Sequence, residues 1–236
     1  MSDGAGSTAV SHAPFPVRRG AARAGTWWGK AWVRAVEEAA YGEQDLRTGR
    51  SLARQAAVGG ISVGRGQLVA AVSDGHGLWT VDCRLPVLDE AATSALVEVV
   101  AAEAGRIGAL LAGDLPHDLV EHADEAGVEL LPFGGEFAAT CSCQAWLDPC
   151  PHALAVLYQA AWLVEAAPLV LLHLRGLPRD VLLARLHARV PLEERLDPDD
   201  ADAAALDAAL DAAQRATRLL ELLEDDGGST SVEHLF

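Results

Sequence analysis

Three of the chain's four cysteines fall within ten residues, and a histidine follows the last of them two positions later. The run reads Cys141-Ser142-Cys143-Gln144-Ala145-Trp146-Leu147-Asp148-Pro149-Cys150-Pro151-His152. A structural zinc site takes four thiolate or imidazole ligands at the corners of a tetrahedron, and two close pairs joined by a short loop meet that need. Cys141 and Cys143 leave an extended strand from the same face. A regular strand would hold their Cα atoms about 6.6 Å apart, whereas sulfurs sharing one metal lie about 3.8 Å from each other. The strand is therefore expected to bend there. Pro151 suits the first turn of a helix, which places His152 at a helix start with its ring free to turn back toward the thiols. Cys141, Cys143, Cys150 and His152 are the predicted ligands of one Zn2+.

The remaining signals frame this cluster. The spacing predicts a helix over residues 27–41, strands over 61–63, 67–72 and 78–85 divided by glycine-rich turns, and one long helix over 89–112. A shorter helix follows Pro116 and ends at Gly127, and 128–131 reads as a short strand. After the cysteines come helices over 153–166, 169–174 and 178–189, and a final one from about 197 to 224. The fold class is α+β: a small antiparallel sheet with helices, a ββα-type zinc unit and a helical C-terminal part. Four regions are expected: a disordered tail over 1–25, an α+β region over 26–132, the zinc unit with its following helices over 133–190, and an acidic helix and tail over 191–236.

Charge separates along the chain. Residues 1–70 hold nine basic and five acidic side chains, while the full chain has a net charge of -16. That balance excludes a uniformly basic nucleic-acid coat. The basic residues Lys30, Arg34, Arg47, Arg50, Arg54 and Arg65 form the only candidate nucleic-acid surface, with Trp27, Trp28 or Trp32 offering faces for base stacking. Lys30 is the only lysine, and the Gly-Lys pair at 29–30 is followed by Ala31 and preceded by too short a gap for a P-loop. The chain is thus not itself a P-loop ATPase.

Other motifs point away from catalysis. His117 and His122 are five apart and do not share a helix face as metalloprotease ligands do. No Ser-His-Asp signature and no glycine-rich cofactor loop occurs, so neither an enzyme nor a small-molecule substrate is expected. The apolar run from 153 to 174 is interrupted by Glu165 and Pro168, which favours two buried helices over a membrane span. Arg18 and Arg19 are followed by no apolar stretch, so a cytoplasmic protein is expected. On the final helix, Leu206, Leu210, Ala213, Thr217 and Leu220 form a narrow seam suited to docking on another helix.

The Cys-x-Cys, short loop, Cys-x-His pattern leading into Ala153-Leu154-Ala155-Val156-Leu157-Tyr158 resembles the SWIM zinc finger. Trp27-Trp28-Gly29-Lys30-Ala31-Trp32, Gly49-Arg50-Ser51-Leu52-Ala53-Arg54 and Leu174-Arg175-Gly176 resemble flanking stretches of bacterial SWIM proteins, so the likeness spans roughly residues 26–190. Leu52 stands where those proteins have Tyr, and Ser73-Asp74-Gly75-His76-Gly77 replaces a more basic hairpin. The resemblance implies a ββα zinc unit that binds protein or DNA, and an accessory role beside a Swi/Snf-type helicase-like ATPase. Three readings follow: a zinc-stabilised adaptor for protein–protein interaction, a nucleic-acid-binding module, and, more remotely, a metalloenzyme.

Overall fold

Five strands form one antiparallel sheet in the order β1-β2-β3-β4-β5: Val10–His12, Val58–Gly64, Gln67–Asp74, Gly77–Arg84 and Ala138–Cys141. The computed structural model describes residues 9–19, 24–143 and 145–189. Helices α1 (Trp27–Ala39) and α2 (Glu43–Arg54) precede β2; α3 (Glu90–Ala101), α4 (Ala104–Ala112) and α5 (His117–Glu125) lie between β4 and β5. A 3-10 turn, Gly134–Glu136, leads into β5, and α6 (Pro151–Ala166), α7 (Leu169–Leu174) and α8 (Arg179–Arg189) follow. The architecture is α+β, with the ββα unit assembled from β5, α6 and β4, a strand drawn from far upstream.

Helix α6 is the centre of the core. Every residue from Ala153 to Val164 is buried, because α1 and α2 pack on it and β2 to β5 contact it as well. A helix apolar on all sides is stable only when covered on all sides. No helix among the described residues is long and apolar enough to cross a membrane. Glu165, the charge that interrupts the apolar run, accepts the backbone N–H groups of Gly25 and Thr26 and so caps the entry to α1. Trp28 and Trp32 are buried against α6, their indole N–H groups donating to Val164 O at 3.1 Å and Leu157 O at 3.0 Å. Neither can stack on a base, because both faces are taken up by the core; Trp27 is half-buried and donates to Leu115 O.

The Gly49–Arg54 motif proves to be a packing device. Its helix, α2, was not foreseen, because the polar residues over 43–54 leave only Leu46, Gly49 and Ala53 on the buried face. A Cβ at Gly49 would stand 2.7 Å from Leu154 Cβ, so glycine permits the close approach of α2 to α6. Gln159 then donates to Ala53 O at 2.8 Å, and Arg50 Nε to the Tyr158 hydroxyl at 2.9 Å.

Several sequence expectations are corrected. Residues 10–19 are not a disordered tail: β1 pairs with β2, Phe15 meets Trp162 edge-on, and the Arg18 guanidinium lies 4.1 Å over the Trp162 ring. The long helix over 89–112 is two helices, since Glu103 is extended (φ -134°). This break turns buried Arg106 toward Val99 O, Glu103 and Asp118, at 2.6–2.8 Å from its terminal nitrogens. Residues 128–131 are not a strand; Leu130 O instead accepts from Arg175 Nε. Arg175 is buried and forks onto Glu136 at 2.8 and 2.9 Å while also donating to Pro86 O, fixing the chain that leads into β5. The final helix and its leucine seam lie outside the described residues.

Candidate metal centre

Strand β5 places the first ligand candidate. It pairs with β4 in the register Val81↔Cys141 and ends there, and Ser142 continues onto β4 by donating its N–H to Thr80 O while its hydroxyl accepts from Thr80 N–H. Ser142 and Cys143 then form a turn, which supplies the bend that two thiols on one strand require. Cys150 is the N-cap of α6, Pro151 its first residue, and His152 follows within the first turn.

These four side chains converge. Cys143 Sγ lies 3.7 Å from Cys150 Sγ, and His152 Nδ1 lies 3.8 Å from Cys141 Sγ and 4.0 Å from Cys150 Sγ. All four ligand atoms fall within 4.8 Å of one another. Tetrahedral zinc–thiolate geometry requires edges of about 3.8 Å, so the donor set and its spacing fit Zn2+. The cysteines are free thiols, consistent with metal ligation and not with a disulfide.

The surroundings support metal-bound thiolates. The Cys143 N–H points at the Cys141 sulfur, the Ala145 N–H at Cys143 and the Ala153 N–H at Cys150. Burial pushes the Cys141 thiol up to about 12 and raises Cys150. Burial acts in the same sense on Cys143, but the neighbouring His152 ring, the Ala145 N–H and the other two thiols outweigh it and lower that thiol. A bound cation would overcome the burial effect, since zinc-coordinated thiols are deprotonated outright.

Two residues behind His152 were not legible in the sequence. Asp74, at the end of β3, accepts from His152 Nε2 at 3.0 Å, leaving the Nδ1 lone pair directed at the thiols. Its other oxygen accepts the backbone N–H groups of His76 and Gly77, at 2.8 and 2.9 Å, closing the β3–β4 turn. The hydrogen bond from His152 holds the Asp74 carboxyl well below its usual range. Trp79, on β4, stacks on the imidazole with centroids 5.7 Å apart. A glycine-rich turn at 74–77 is visible in the sequence, but only the β4–β5 register brings it beside the finger.

The other candidates divide. Lys30, Arg34, Arg50 and Arg54 line one cavity between α1, α2 and α6. Arg47 lies apart, paired with Glu43 at 3.3 Å, and Arg65 lines a different cavity with His12, Glu90 and Arg185. The predicted basic set is therefore not one continuous surface. A second acidic cluster, Glu103, Asp118 and His122, surrounds the Arg106 guanidinium, which already supplies its positive charge. His117 packs on Trp27 and pairs with Glu121, in keeping with a non-metal role.

A finger strand, a tight Cys-x-Cys turn and a Cys-Pro-His helix start bring together three thiols and one imidazole, a donor set consistent with a structural zinc site. Residues 125–161 match the SWIM zinc finger family, and the chain contains a SWIM zinc finger. Over 220 residues the chain is 29% identical to "Uncharacterized protein Rv2102" of Mycobacterium tuberculosis, an alignment that covers 86% of this chain and 79% of that protein. No solved structure matches the chain significantly.

Proposed function

We propose that Cys141, Cys143, Cys150 and His152 hold one Zn2+ and that the protein is a non-catalytic accessory subunit that binds another protein, a Swi/Snf-type helicase-like ATPase. The observation that carries the reading is Trp146, which is 100% exposed on the loop between the two ligand pairs, with Leu147 beside it and half exposed. Indole is costly to leave in water and is enriched among residues that dominate protein interfaces. A zinc ion anchoring both ends of the loop would hold that side chain in place, lowering the entropy lost on binding. The acidic excess after residue 70 favours a basic partner surface. Four free cysteines suit a reducing compartment, which supports a cytoplasmic protein.

Tagged protein isolated from its native host, as wild type and as W146A/L147A, tests the reading by quantitative mass spectrometry. A Swi/Snf-type ATPase enriched with the wild type and lost with the variant is the expected result. Equal recovery with both proteins removes the loop from the interface, and absence of any such ATPase removes the partner assignment.

A nucleic-acid reading stands second. The gathering of Lys30, Arg34, Arg50 and Arg54 favours it, while the separation of Arg47 and Arg65 and the overall charge of -16 work against an extended track.

A further inference from the structure

We infer that the cavity between α1, α2 and α6 is a binding site for a phosphorylated ligand carrying more than one negative charge. The inference is independent of the metal reading. Each helix contributes residues four apart, which share a face: Lys30 and Arg34 from α1, Arg50 and Arg54 from α2, Tyr158 and Trp162 from α6. The cavity is about 600 Å3, within the range of small-ligand sites. Four cations and one carboxylate, Glu37, line it, in a chain whose net charge is -16 and whose only lysine is among the four.

These cations are organised in two ways. Arg50 is held from behind: its Nε donates to the Tyr158 hydroxyl, and one terminal nitrogen, Nη2, contacts Glu37 at 2.6 Å. Its other terminal nitrogen has no partner among the described residues, so the planar fork is pre-set with a donor to spare. Lys30 and Arg34 are exposed and form no ion pair among the described residues. Like charges gathered around one concavity raise its potential and concentrate counter-ions there. Glu37 offsets Arg50, which leaves the charges of Lys30 and Arg34 to be met by the ligand. A single carboxylate would meet one; a di- or triphosphate meets both and presents the oxygens that guanidinium groups bind bidentately. Val33, Ala53 and Trp162 add an apolar wall against which an organic moiety can rest.

Free nucleotides and nucleic-acid backbones share this phosphate chemistry. Titration calorimetry on the zinc-loaded full chain, at low and physiological salt, separates them with inorganic pyrophosphate, ADP and a single-stranded oligothymidylate. Saturable binding is expected, weakened at least tenfold by K30E/R34E, with K30Q/R34Q as the milder variant should the charge reversal perturb folding. R84E, at an exposed arginine of β4, is expected to bind as wild type. Pyrophosphate and ADP binding identifies a free phosphorylated ligand; binding of the oligonucleotide alone identifies a phosphodiester strand. Absence of binding to all three, an unchanged affinity in both double variants, or an equal loss in R84E overturns the assignment.

Discussion

His152 Nε2 donates to Asp74 Oδ2 across 3.0 Å, joining the finger histidine to a hairpin turn 78 residues upstream in sequence. The bond fixes which imidazole nitrogen is left to face the thiols and how the ring is turned. Removing it should weaken the metal site without deleting a ligand. For D74A we expect zinc affinity to fall about 10–100-fold, the cost typical of losing a carboxylate behind a ligating histidine. D74N, which keeps a carbonyl acceptor, should lose less. Competition against a chromogenic chelator measures both. Unchanged affinity in D74A would mean that stacking on Trp79 alone orients the ring.

The metal itself should be a folding ligand. Replacing Cys143 or His152 with Ser or Ala, or removing zinc with a chelator, should release residues 137–165 from their packing, because binding free energy at such a site is folding free energy. Hydrogen exchange would register the loss, and α1 and α2 should loosen with α6, since Trp28, Trp32 and Gln159 join them to it. Burial raises Cys141 and Cys150, so zinc uptake near neutral pH must displace their protons. Affinity should therefore climb with pH, with a release of about two protons per ion from those thiols, visible as a buffer-dependent heat in calorimetry. An exchange pattern unchanged on zinc removal would refute the coupling.

How far the sequence foretold this site depends on which contacts are local. The convergence of Cys141, Cys143, Cys150 and His152 was legible because their spacing is short and their chemistry selective. The helix after Pro151 and the helix end at residue 112, where Gly113 follows with φ of 88°, were legible from local signals too. What escaped was set by distant partners. Strand β1 exists because β2 offers it an open edge in the register Val10↔Val63, and a polar, glycine-rich segment gives no sign of that. Helix α2 hides its purpose in Gly49, a residue that reads as a helix breaker until Leu154 is found beside it. The break at Glu103 answers to Arg106, whose acceptor Asp118 lies on another helix. Trp27, Trp28 and Trp32 could serve bases or a core from sequence alone, and the acceptors Val164 O and Leu157 O decide for the core at Trp28 and Trp32.

Gly49 makes a sharp test of the α2–α6 contact. In G49A the new methyl meets Leu154 Cβ at 2.7 Å and Pro151 O at 3.2 Å, both on the first turn of the finger helix. In an exposed helix the substitution would stabilise by raising helix propensity. Here overpacking should dominate and cost about 1–3 kcal/mol, read from the denaturant midpoint of the zinc-loaded protein. Because the displaced residues flank Cys150 and His152, zinc affinity should fall with stability. A stabilised G49A would show that the helices can separate freely, and that the close approach is not needed.

Arg106 and Asp118 predict a pH signature distinct from that of the metal. Hydrogen bonds from the Arg106 guanidinium, at 2.8 and 3.0 Å, lower the Asp118 carboxyl from its ordinary value against an opposing effect of burial. A group whose acidity is increased by folding stabilises the folded state while it is ionised. That contribution is present above the unfolded carboxyl's range, near pH 4, and is lost as pH falls through the lower folded value. Protonation there removes one of the two carboxylates on Arg106, a buried cation, leaving Glu103, Val99 O and the His122 ring around it. Asp118 is solvent-accessible, so the effect is screened and should shrink in high salt. D118N should lower stability at pH 7 and, compared with wild type, flatten the decline below about pH 4. Zinc loss also destabilises the protein in acid, so the reading is the difference between the two proteins across the same pH series. Parallel curves for wild type and D118N would show that the other partners of Arg106 satisfy the guanidinium without Asp118.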